Sequence, residues 1–454
     1  MSEPLMTLSE FAESISQEAT IKGASSIRFS SVSFDSRKIE PNGLFFAIKG
    51  ARDGHDFVQA AADRGAAAAV VEHMVPVSIP QIIVKDVRAA LLESAGKWRS
   101  RFNITVAAVA GSNGKTTTTQ MILSIIKSRF DAASWVGTEG NLNNDLGVSL
   151  MLWKLRPSTE VAVFEVGMNH IGEMAPLVRM IAPTVGVVTN TQRDHQEFLV
   201  SLEETATDNG AVFSALPAGG AAVINEDDLF AQLWKRQADN NRVITFGRPD
   251  SQVWGEKSEG GFELHTPQGH IHIDLHVPGD HNIRNAVCAA AVSYAMGRDL
   301  SDIKEGLESF RAVAHRSCVH KLRNGSVLID DSYNANPDSM CAALDLLSTF
   351  NLPKVFVMGD MGELGVKSME MHREVGQYAF NKEIDHFLSI GNRSMDADDA
   401  FGEGARHFET QEELKEALYE LMNKEPVVVL LKASNFMKLY KIADQMIEED
   451  KKDN

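Results

Sequence analysis

The chain has 454 residues, 44% hydrophobic and 23% charged, and this length predicts about three domains. Acidic residues number 62 against 44 basic ones, a net charge of −18. This balance excludes a general nucleic-acid or anionic-membrane binder, because phosphate surfaces attract clustered cations. No apolar run approaches the ~20 residues of a membrane span, so a membrane-spanning protein is excluded. The three cysteines (Cys288, Cys318, Cys341) form no CxxC pair, which excludes disulfide-rich and zinc-finger proteins. We expect a cytoplasmic monomer.

The first ninety residues alternate short apolar runs with a helical stretch. The runs predict four strands, at residues 31–34, 44–48, 67–71 and 80–84. Residues 55–64, between the second and third runs, are predicted as a helix. We expect a small α/β domain covering residues 1–95.

A second block, expected to cover residues 96–312, follows the same alternation. Its apolar runs predict strands at residues 105–110, 160–164, 184–190 and 221–225. A stretch rich in glycine and histidine continues to residue 278, and residues 282–297 are predicted as a helix. Short apolar runs separated by helices are typical of a parallel sheet covered by helices.

The third block is expected to cover residues 313–454. Four apolar runs predict strands at residues 326–330, 354–359, 386–391 and 426–432, with helices between them. This order indicates a Rossmann-like, doubly wound domain. The fold class is therefore predicted as α/β with three domains.

Polar residues follow the strands of the second and third blocks. In the second block the runs lead into residues 111–117, Glu165 and residues 190–195. In the third they lead into residues 330–331, Asp360 and Lys432. Ligands of open α/β sheets bind beyond the carboxyl ends of the strands, so we expect a cleft between these two domains.

Residues 111–117, GSNGKTT, have the features of a phosphate-binding loop, here called the phosphate loop. Gly111 and Gly114 let backbone N–H groups point at phosphate oxygens, Lys115 reaches the β- and γ-phosphates, and the Thr116 hydroxyl is offered to Mg²⁺. The standard spacing would place a glycine where this chain has Val109. An ordinary helix capped by a glycine turn is the alternative interpretation.

Glu165 is the first candidate for holding the metal ion, because Mg²⁺ combines one or two carboxylates with phosphate oxygens. A carboxylate that caps a turn is the alternative. His195 follows the next strand, and the residue type alone leaves a ligand and a structural hydrogen bonder equally open. Asp194 beside it is a second possible oxygen ligand.

The chain resembles the Mur ligases of peptidoglycan synthesis, most closely those that add D-alanyl-D-alanine. The resemblance spans about residues 30–440, and a shortened phosphate loop such as this one is the form that Mur ligases and folylpolyglutamate synthetases use. The segments that carry it are DSR (35–37), LFFAIKGARDGHDF (44–57), GSNGKTT (111–117), GTEGNLNNDLG (137–147), EVGMNHIGEM (165–174), GDHNIRNAVCAAA (279–291), DDSYNANPDSM (330–340) and GDMGELG (359–365).

The resemblance implies a UDP-substrate domain first, a central ATP-binding domain with the phosphate loop, and a C-terminal ligase domain. It implies that the nucleotide is bound by Gly111, Ser112, Asn113, Gly114, Lys115, Thr116, Thr117, Asn282, Asn285, Asp331, Asn334 and Asn336. It further implies UDP-sugar contacts from Ser36 and Arg37, a channel lined by Asn141, Asn143 and Asn144, and a metal site of Thr116, Glu165 and His195. Lys115, Arg316 and His195 are the implied catalytic residues.

Plainer interpretations of these patterns stay open. The DSR segment can be an Asx-type turn with a surface arginine, and Asn282 can be a helix N-cap. Residues 330–331 can be a solvated turn after a strand. The asparagines at 141–144 can be an ordinary loop.

The implied activity is an ATP- and Mg²⁺-dependent ligation of D-alanyl-D-alanine to UDP-N-acetylmuramoyl-tripeptide through an acyl phosphate, giving ADP and phosphate. A ligase that adds the diamino acid is disfavoured because the DNPR signature is absent from the third block. A folylpolyglutamate-type ligase is disfavoured by the DSR-bearing first domain. The alternative from another class is a non-catalytic nucleotide-binding regulator.

The chain departs from the family at Asn209, where Mur ligases commonly have a carbamoylated lysine. No lysine lies between Lys154 and Lys235, so a neighbouring carboxylate such as Asp208, or a water, would take that place. We therefore expect a rate that does not depend on bicarbonate. Ala433 and Asn435 also depart from the family pattern and leave the acceptor pocket undefined.

Overall fold

The structure, a computed structural model, describes residues 3–199 and 201–452. Its elements fall into three groups, here called the N-terminal, central and C-terminal units. Each unit contains its own main sheet. The α/β fold class predicted from the sequence is confirmed.

The N-terminal unit has a five-stranded sheet in the order β2-β7-β6-β5-β4, with β2 antiparallel to the others, and a separate pair of β1 with β3. The four predicted strands are present, and the short strands β1, β2 and β3 are additional. The elements, with a 3₁₀ turn at Gly54–Phe57, are β1 (Met6–Thr7), α1 (Leu8–Glu13), β2 (Thr20–Lys22), β3 (Arg28–Phe29), β4 (Ser31–Ser33), β5 (Gly43–Phe46), α2 (Val58–Asp63), β6 (Ala68–Val71), β7 (Gln81–Ile83) and α3 (Val87–Arg99).

The central unit has a nine-stranded sheet. Its first part is β8 (Thr105–Ala110), α4 (Lys115–Lys127), β9 (Trp135–Gly137), α5 (Asp145–Leu152), β10 (Val161–Glu165), α6 (Met174–Ile181), β11 (Val185–Val188), α7 (Leu202–Asn209) and α8 (Ala211–Ser214). Its second part is β12 (Ala221–Asn225), α9 (Ala231–Gln237), β13 (Arg242–Gly247), β14 (Val253–Ser258), β15 (Gly261–Thr266), β16 (Gly269–Asp274), α10 (Asp280–Ala295) and α11 (Leu300–Ser309).

The strand order of the central sheet is β16-β15-β14-β13-β12-β11-β8-β10-β9. Strand β8 pairs in parallel with β11 on one side and β10 on the other, and all three are buried on both faces. Fully buried parallel strands read as continuous apolar runs, which is why the sequence predicted them. The carboxyl ends of these three neighbours therefore lie side by side.

The C-terminal unit has a six-stranded sheet in the order β17-β18-β22-β19-β20-β21, parallel except for β17. Apolar clusters cover both faces, as in a doubly wound sheet. The sequence predicted four strands, and β17 and β21 at the two edges were missed. The elements, with 3₁₀ turns at Gly365–Lys367 and Asn435–Met437, are β17 (Cys318–Lys321), β18 (Val327–Asp330), α12 (Pro337–Ser348), β19 (Lys354–Gly359), α13 (Ser368–Asn381), β20 (His386–Ile390), α14 (Met395–Phe401), β21 (Ala405–Phe408), α15 (Gln411–Lys424), β22 (Val428–Lys432) and α16 (Tyr440–Lys452).

The N-terminal and central units share one apolar core. Phe29 packs edge-on against Trp153 at 5.7 Å between ring centroids, and Trp153 stacks on Trp98 of α3 at 5.2 Å. Arg99, at the end of α3, donates from Nε to the carbonyl of Ile181 at 2.8 Å. The predicted limit at residue 95 falls inside α3, and the domain limits stay a prediction. Helix α3 thus fixes the first unit to the second.

Candidate active site

A cleft of about 1200 Å³ lies between the strand ends of the central and C-terminal sheets. Most residues proposed from the sequence line it: Ser112, Asn113, Gly114, Lys115, Thr116, Thr117, Asn141, Asn143, Asn144, Glu165, His195, Asn282, Asn285, Arg316, Asp331, Asn334 and Asn336. Ser36 and Arg37 are not among the lining residues. Asp360 is not either; it is buried within the C-terminal unit, where its Oδ1 accepts hydrogen bonds from the backbone N–H groups of Arg393 and Ser394.

The phosphate loop joins β8 to α4 by a turn that requires glycine. Gly111 has φ +128° and Gly114 has φ +81°, a region in which side chains are strained. A Cβ at Gly111 would lie 2.1 Å from Thr189 Oγ1, and one at Gly114 would lie 2.3 Å from Asn285 Oδ1. Helix α4 begins at Lys115, so its N-terminal N–H groups and positive dipole end face the cleft, as a phosphate site requires.

Lys115 lies folded over the phosphate loop. Its Nζ donates to the carbonyl oxygens of Gly111 at 2.6 Å and Ser112 at 2.9 Å. The carboxylate of Asp194 stands 4.0 Å from the same Nζ, and both side chains are largely buried. The ammonium group is therefore held at the loop, where a bound phosphate would exchange these carbonyl contacts for charge-assisted bonds.

Glu165, the last residue of β10, has its side chain buried beside the loop. Its Oε1 accepts a hydrogen bond from Asn143 Nδ2 at 2.8 Å, and Asn144 caps helix α5 by accepting from the Gly147 N–H at 2.9 Å. The asparagine segment is therefore a structured part of the cleft. One of its members orients the candidate metal carboxylate.

The oxygen donors of Thr116 and Glu165 fit Mg²⁺, which prefers hard oxygen ligands and completes its shell with phosphate and water. Within residues 3–199 and 201–452, no three His, Cys, Asp or Glu side chains stand together as a metal cluster of their own. A metal ion at this site would therefore depend on the phosphates for part of its ligand set.

His195 lies between the two units. Its Nδ1 contacts the carboxylate of Glu363, from the C-terminal unit, and its Nε2 lies 3.6 Å from Asp194 Oδ2. Its backbone has φ +50°, which is uncommon outside glycine. The contact with Glu363 was not foreseen from the sequence, and the metal role of His195 stays a prediction.

Asn282 and Asn285 lie one turn apart near the start of α10. Asn282 donates to the Pro278 carbonyl at 2.7 Å, and Asn285 donates to Asn282 Oδ1 at 3.3 Å. The helix begins at Asp280 with Gly279 as N-cap, so Asn282 is inside the helix rather than its cap. Both residues line the cleft, and Asn285 lies next to Gly114.

Asp331 and Lys432 form an ion pair at the ends of the adjacent strands β18 and β22. Lys432 Nζ lies 2.6 Å from Asp331 Oδ2, and the lysine side chain is only 4% exposed. The other oxygen, Oδ1, accepts from the Ser317 N–H at 2.9 Å. The Arg316 guanidinium lies 4.2 Å from the centroid of the Tyr333 ring. The C-terminal side of the cleft is thus built from paired side chains.

Asn336 connects the C-terminal unit directly to the phosphate loop. It caps helix α12 by accepting from the Ser339 N–H at 2.9 Å, and its Nδ2 donates to Asn113 Oδ1 at 2.9 Å. Asn113 Nδ2 in turn lies 3.2 Å from Asn336 Oδ1, so the two amides bond reciprocally. The two halves of the cleft are closed on each other in this structure.

Ser36 and Arg37 lie outside the cleft, in a turn after β4. Asp35 Oδ1 accepts from the Arg37 N–H at 3.0 Å, which is the geometry of an Asx turn, and the Arg37 side chain is 78% exposed. Hydrogen bonding from Arg37 lowers the pKa of Asp35 to about 2. Binding of a UDP-sugar by this turn stays a prediction.

Asn209 is buried at the end of α7 and does not line the cleft. The neighbouring Asp208 accepts a hydrogen bond from the Gly172 N–H at 2.9 Å, ahead of helix α6. Burial raises the pKa of Asp208. Neither residue lies among those that line the cleft.

Sequence reasoning gave no role to Arg193, which joins the central unit to Asp338 and Glu374 of the C-terminal unit. A polar run after a strand was the only signal for residues 190–195. Its partners lie more than a hundred residues away, and no local pattern pairs them.

Three matches to known sequence families cover most of the chain: the Mur ligase family catalytic domain at residues 28–106, the Mur ligase middle domain at 109–293, and the Mur ligase glutamate ligase domain at 315–435. None of the helices in the described residues has the length and hydropathy needed to cross a bilayer.

Curated relatives match over nearly their whole length. The UDP-N-acetylmuramoyl-tripeptide–D-alanyl-D-alanine ligase of Escherichia coli is 37% identical, covering 94% of each chain, and that of Haemophilus influenzae is 35% identical, covering 93% of this chain and 94% of its own.

Solved structures of similar fold match nearly the whole chain. MurF from Acinetobacter baumannii superposes with a TM-score of 0.91 at 31% identity, covering 98% of this chain and 99% of its own. MurF from Thermotoga maritima in complex with ADP shares the fold, with a TM-score of 0.80 at 24% identity, covering 93% of this chain and 98% of its own. The chain belongs to the Mur ligase family.

Proposed function

We propose that this protein is the ATP-dependent ligase that joins D-alanyl-D-alanine to UDP-N-acetylmuramoyl-tripeptide. The observation that carries the proposal is the end-to-end similarity to curated ligases of that name, at 35–37% identity. The cleft supports it, because a phosphate loop faces a second set of polar strand ends across one cavity.

The chemistry requires activation of a carboxylate. A carboxylate is a poor electrophile, so the γ-phosphoryl group of ATP is transferred to the terminal carboxylate of the tripeptide. The resulting acyl phosphate is attacked by the amine of D-alanyl-D-alanine, and the tetrahedral intermediate expels phosphate. Catalysis of this kind rests on positioning and on charge stabilisation.

Lys115 supplies positive charge at the β- and γ-phosphates, and Arg316 supplies it from the opposite side of the cleft. Asp331, held by Lys432, is proposed to accept hydrogen bonds from the ribose hydroxyls. Asn282 and Asn285 present amides for the adenine. Lys115 and Asp331 are already held by neighbouring groups at the cleft, and Arg316 lies against the Tyr333 ring.

Mg²⁺ would be held by the Thr116 hydroxyl, the Glu165 carboxylate and His195, all of which line the cleft. When bound, the ion neutralises charge on the phosphates. Asn143 holds the Glu165 carboxylate in place by a hydrogen bond from its Nδ2 to Oε1.

The UDP-sugar is proposed to contact Ser36 and Arg37, and its peptide to pass along Asn141, Asn143 and Asn144 toward the phosphate loop. Both substrates are small molecules, and the enzyme is proposed to act as a monomer in the cytoplasm. The acyl phosphate hydrolyses in water, so closure of the C-terminal unit over the cleft protects it.

Phosphate release measured with ATP, UDP-N-acetylmuramoyl-tripeptide and D-alanyl-D-alanine tests the proposal. We expect release only when both substrates are present, and hydroxylamine should trap an acyl hydroxamate during turnover. ATP hydrolysis that ignores both substrates would support a nucleotide-binding regulator instead. Absence of the hydroxamate, together with absence of oxygen transfer from the carboxylate to phosphate during turnover, would refute the acyl phosphate route.

A further inference from the structure

Arg193, in the central unit, contacts two carboxylates of the C-terminal unit. Its Nη2 lies 2.7 Å from Asp338 Oδ1, and its Nη1 lies 2.6 Å from Glu374 Oε2. Its Nη2 also lies 2.8 Å from Glu374 Oε1, and its backbone N–H donates to Asp338 Oδ2 at 2.8 Å. One guanidinium therefore holds two carboxylates, each through both of its oxygens, which is a geometry that lysine cannot reproduce.

The residues on either side of Arg193 contact the phosphate loop. The Gln192 N–H donates to Ser112 Oγ at 3.0 Å, and Ser112 Oγ donates to the Gln192 carbonyl at 3.0 Å. On the other side, the Asp194 carboxylate lies 4.0 Å from Lys115 Nζ. A displacement of the Arg193 backbone would therefore also move Gln192 and Asp194, which contact Ser112 and Lys115.

The partners of Arg193 lie on two helices of the C-terminal unit, Asp338 on α12 and Glu374 on α13. Asp338 is in the first turn of α12, where a carboxylate also stabilises the helix N-terminus. The N-cap of that helix is Asn336, whose amide pairs with Asn113 of the phosphate loop. Arg193 and Asn336 therefore fix the same end of α12 to the central unit at two points.

We propose that Arg193 is a positioning residue that couples closure of the C-terminal unit to the arrangement of the phosphate loop. It does not touch the nucleotide in this proposal. It acts through Gln192 and Asp194 on one side and through α12 on the other. The inference rests on the proposed ligase function for its kinetic test and on geometry alone for its structural test.

The expected effect follows from the population of closed molecules. The Arg193 side chain is 27% exposed and Asp338 is 24% exposed, so the contact is partly shielded from solvent. Loss of such a contact lowers the closed fraction, and the apparent affinity for the acceptor falls in proportion to that fraction. We expect kcat/KM for D-alanyl-D-alanine to fall about tenfold in Arg193→Gln, with a thermal midpoint within about 2 °C of the wild type.

The matched control is Arg373→Gln. Arg373 is adjacent to Glu374 on α13, and its exposed pair with Asp399, at 3.8 Å, stays within the C-terminal unit. This variant removes the same charge without touching the contact between units, so its kcat/KM should equal that of the wild type. Equal losses in Arg193→Gln and Arg373→Gln, or no loss in Arg193→Gln, would overturn the proposal.

A double-mutant cycle with Glu374→Gln identifies the contact through which Arg193 acts. We expect Glu374→Gln to lower kcat/KM about threefold in the wild type and less than about 1.5-fold in the Arg193→Gln background. Equal effects in both backgrounds would contradict the coupling. The Glu374 side chain is 45% exposed, so Glu374→Gln should fold. This variant alone therefore tests the contact if Arg193→Gln does not fold.

Ionic strength gives a readout that loss of fold would not. Salt screens the partly exposed pair, so the ratio of wild-type to Arg193→Gln kcat/KM should shrink toward one between about 0.05 and 0.5 M salt. A constant ratio would count against the proposal.

Small-angle X-ray scattering in the presence of ADP tests closure without requiring ligation. The wild type should have a smaller radius of gyration than Arg193→Gln. Equal radii of gyration would overturn the proposal even if the ligase function holds.

Discussion

The two walls of the cleft are built in different ways. On the central side the phosphate loop presents backbone groups, and its shape depends on Gly111 and Gly114 at positive φ. On the C-terminal side Asp331 and Lys432 present a side-chain ion pair whose members are separated by 101 residues of sequence. One wall is determined locally and the other by packing of distant strands.

Because of this difference, we expect substitutions on the central wall to lower activity alone and substitutions on the C-terminal wall to lower both activity and stability. A change of charge on the central wall removes chemistry from a backbone frame that stays intact. A change on the C-terminal wall removes a contact that also supports the fold, because a buried charge without its partner is costly. Substitutions on the two walls should therefore differ in their effect on stability.

Lys115→Ala should lower turnover by at least about a thousandfold while leaving the fold unchanged, because the transferred phosphoryl group loses its main cation. Phosphate release and circular dichroism measure the two outcomes. Lys127→Ala, at the other end of the same helix, removes a lysine that lies 4.9 Å from the Trp135 ring centroid and should keep full activity. Near wild-type turnover in Lys115→Ala would show that this loop is not the ATP site.

Asp331→Asn should lower both activity and stability. The Lys432 ammonium would stay buried without its anion, so we expect a loss of about 2–4 kcal/mol in the free energy of unfolding. Adding Lys432→Met should restore most of that stability but not the turnover. Chemical denaturation measures the first effect, and an unchanged stability in the single variant would show that Lys432 tolerates loss of its partner.

His372 should make the C-terminal unit sensitive to acid. It is fully buried, its Nε2 accepts a hydrogen bond from the Met361 N–H at 3.0 Å, and burial lowers its pKa from the ordinary 6.5. Below pH 6.5 the unfolded chain takes up a proton that the folded chain excludes, so the free energy of unfolding should fall as the pH drops through that range.

Comparison with His372→Gln isolates this contribution. Burial also lowers the pKa of His281 and of His320, so part of the acid sensitivity should remain in the variant. The wild-type profile should fall more steeply below pH 6.5 than that of the variant. Parallel profiles would show that His372 does not titrate differently in the two states.

Bicarbonate should have no effect on the rate. Asn209 cannot form a carbamate, and the chain has no lysine between Lys154 and Lys235 to replace it. Turnover in CO₂-free buffer should therefore match turnover with added bicarbonate. A rate that rises with bicarbonate and falls on its removal would contradict the assignment of Asn209 to the lysine position.

The sequence was most informative where structure is local. The strands β8 and β12 were predicted with the bounds that the structure has, because fully buried parallel strands are continuous apolar runs. The phosphate loop could be predicted because its glycines, Lys115 and the helix that follows lie within one short segment. The α/β fold class and the family followed from such segments.

The sequence was least informative where a contact joins distant segments. The edge strands β17 and β21 were missed because they are short and only partly buried. The pairing of Arg193 with Asp338 and Glu374, and that of His195 with Glu363, depends on how the C-terminal unit closes on the central one. No spacing rule connects these residues, so only the folded arrangement could reveal them.

The aromatic contacts among Phe29, Trp98 and Trp153 have a consequence for how the protein melts. The first two units share a continuous apolar core, whereas the last unit has its own clusters on both faces of its sheet. Polar contacts, such as those of Arg193, His195 and Asn113, join the last unit to the central one. Calorimetry should therefore resolve two cooperative transitions rather than three. Nucleotide should draw them together, since it would bridge the two parts that melt separately.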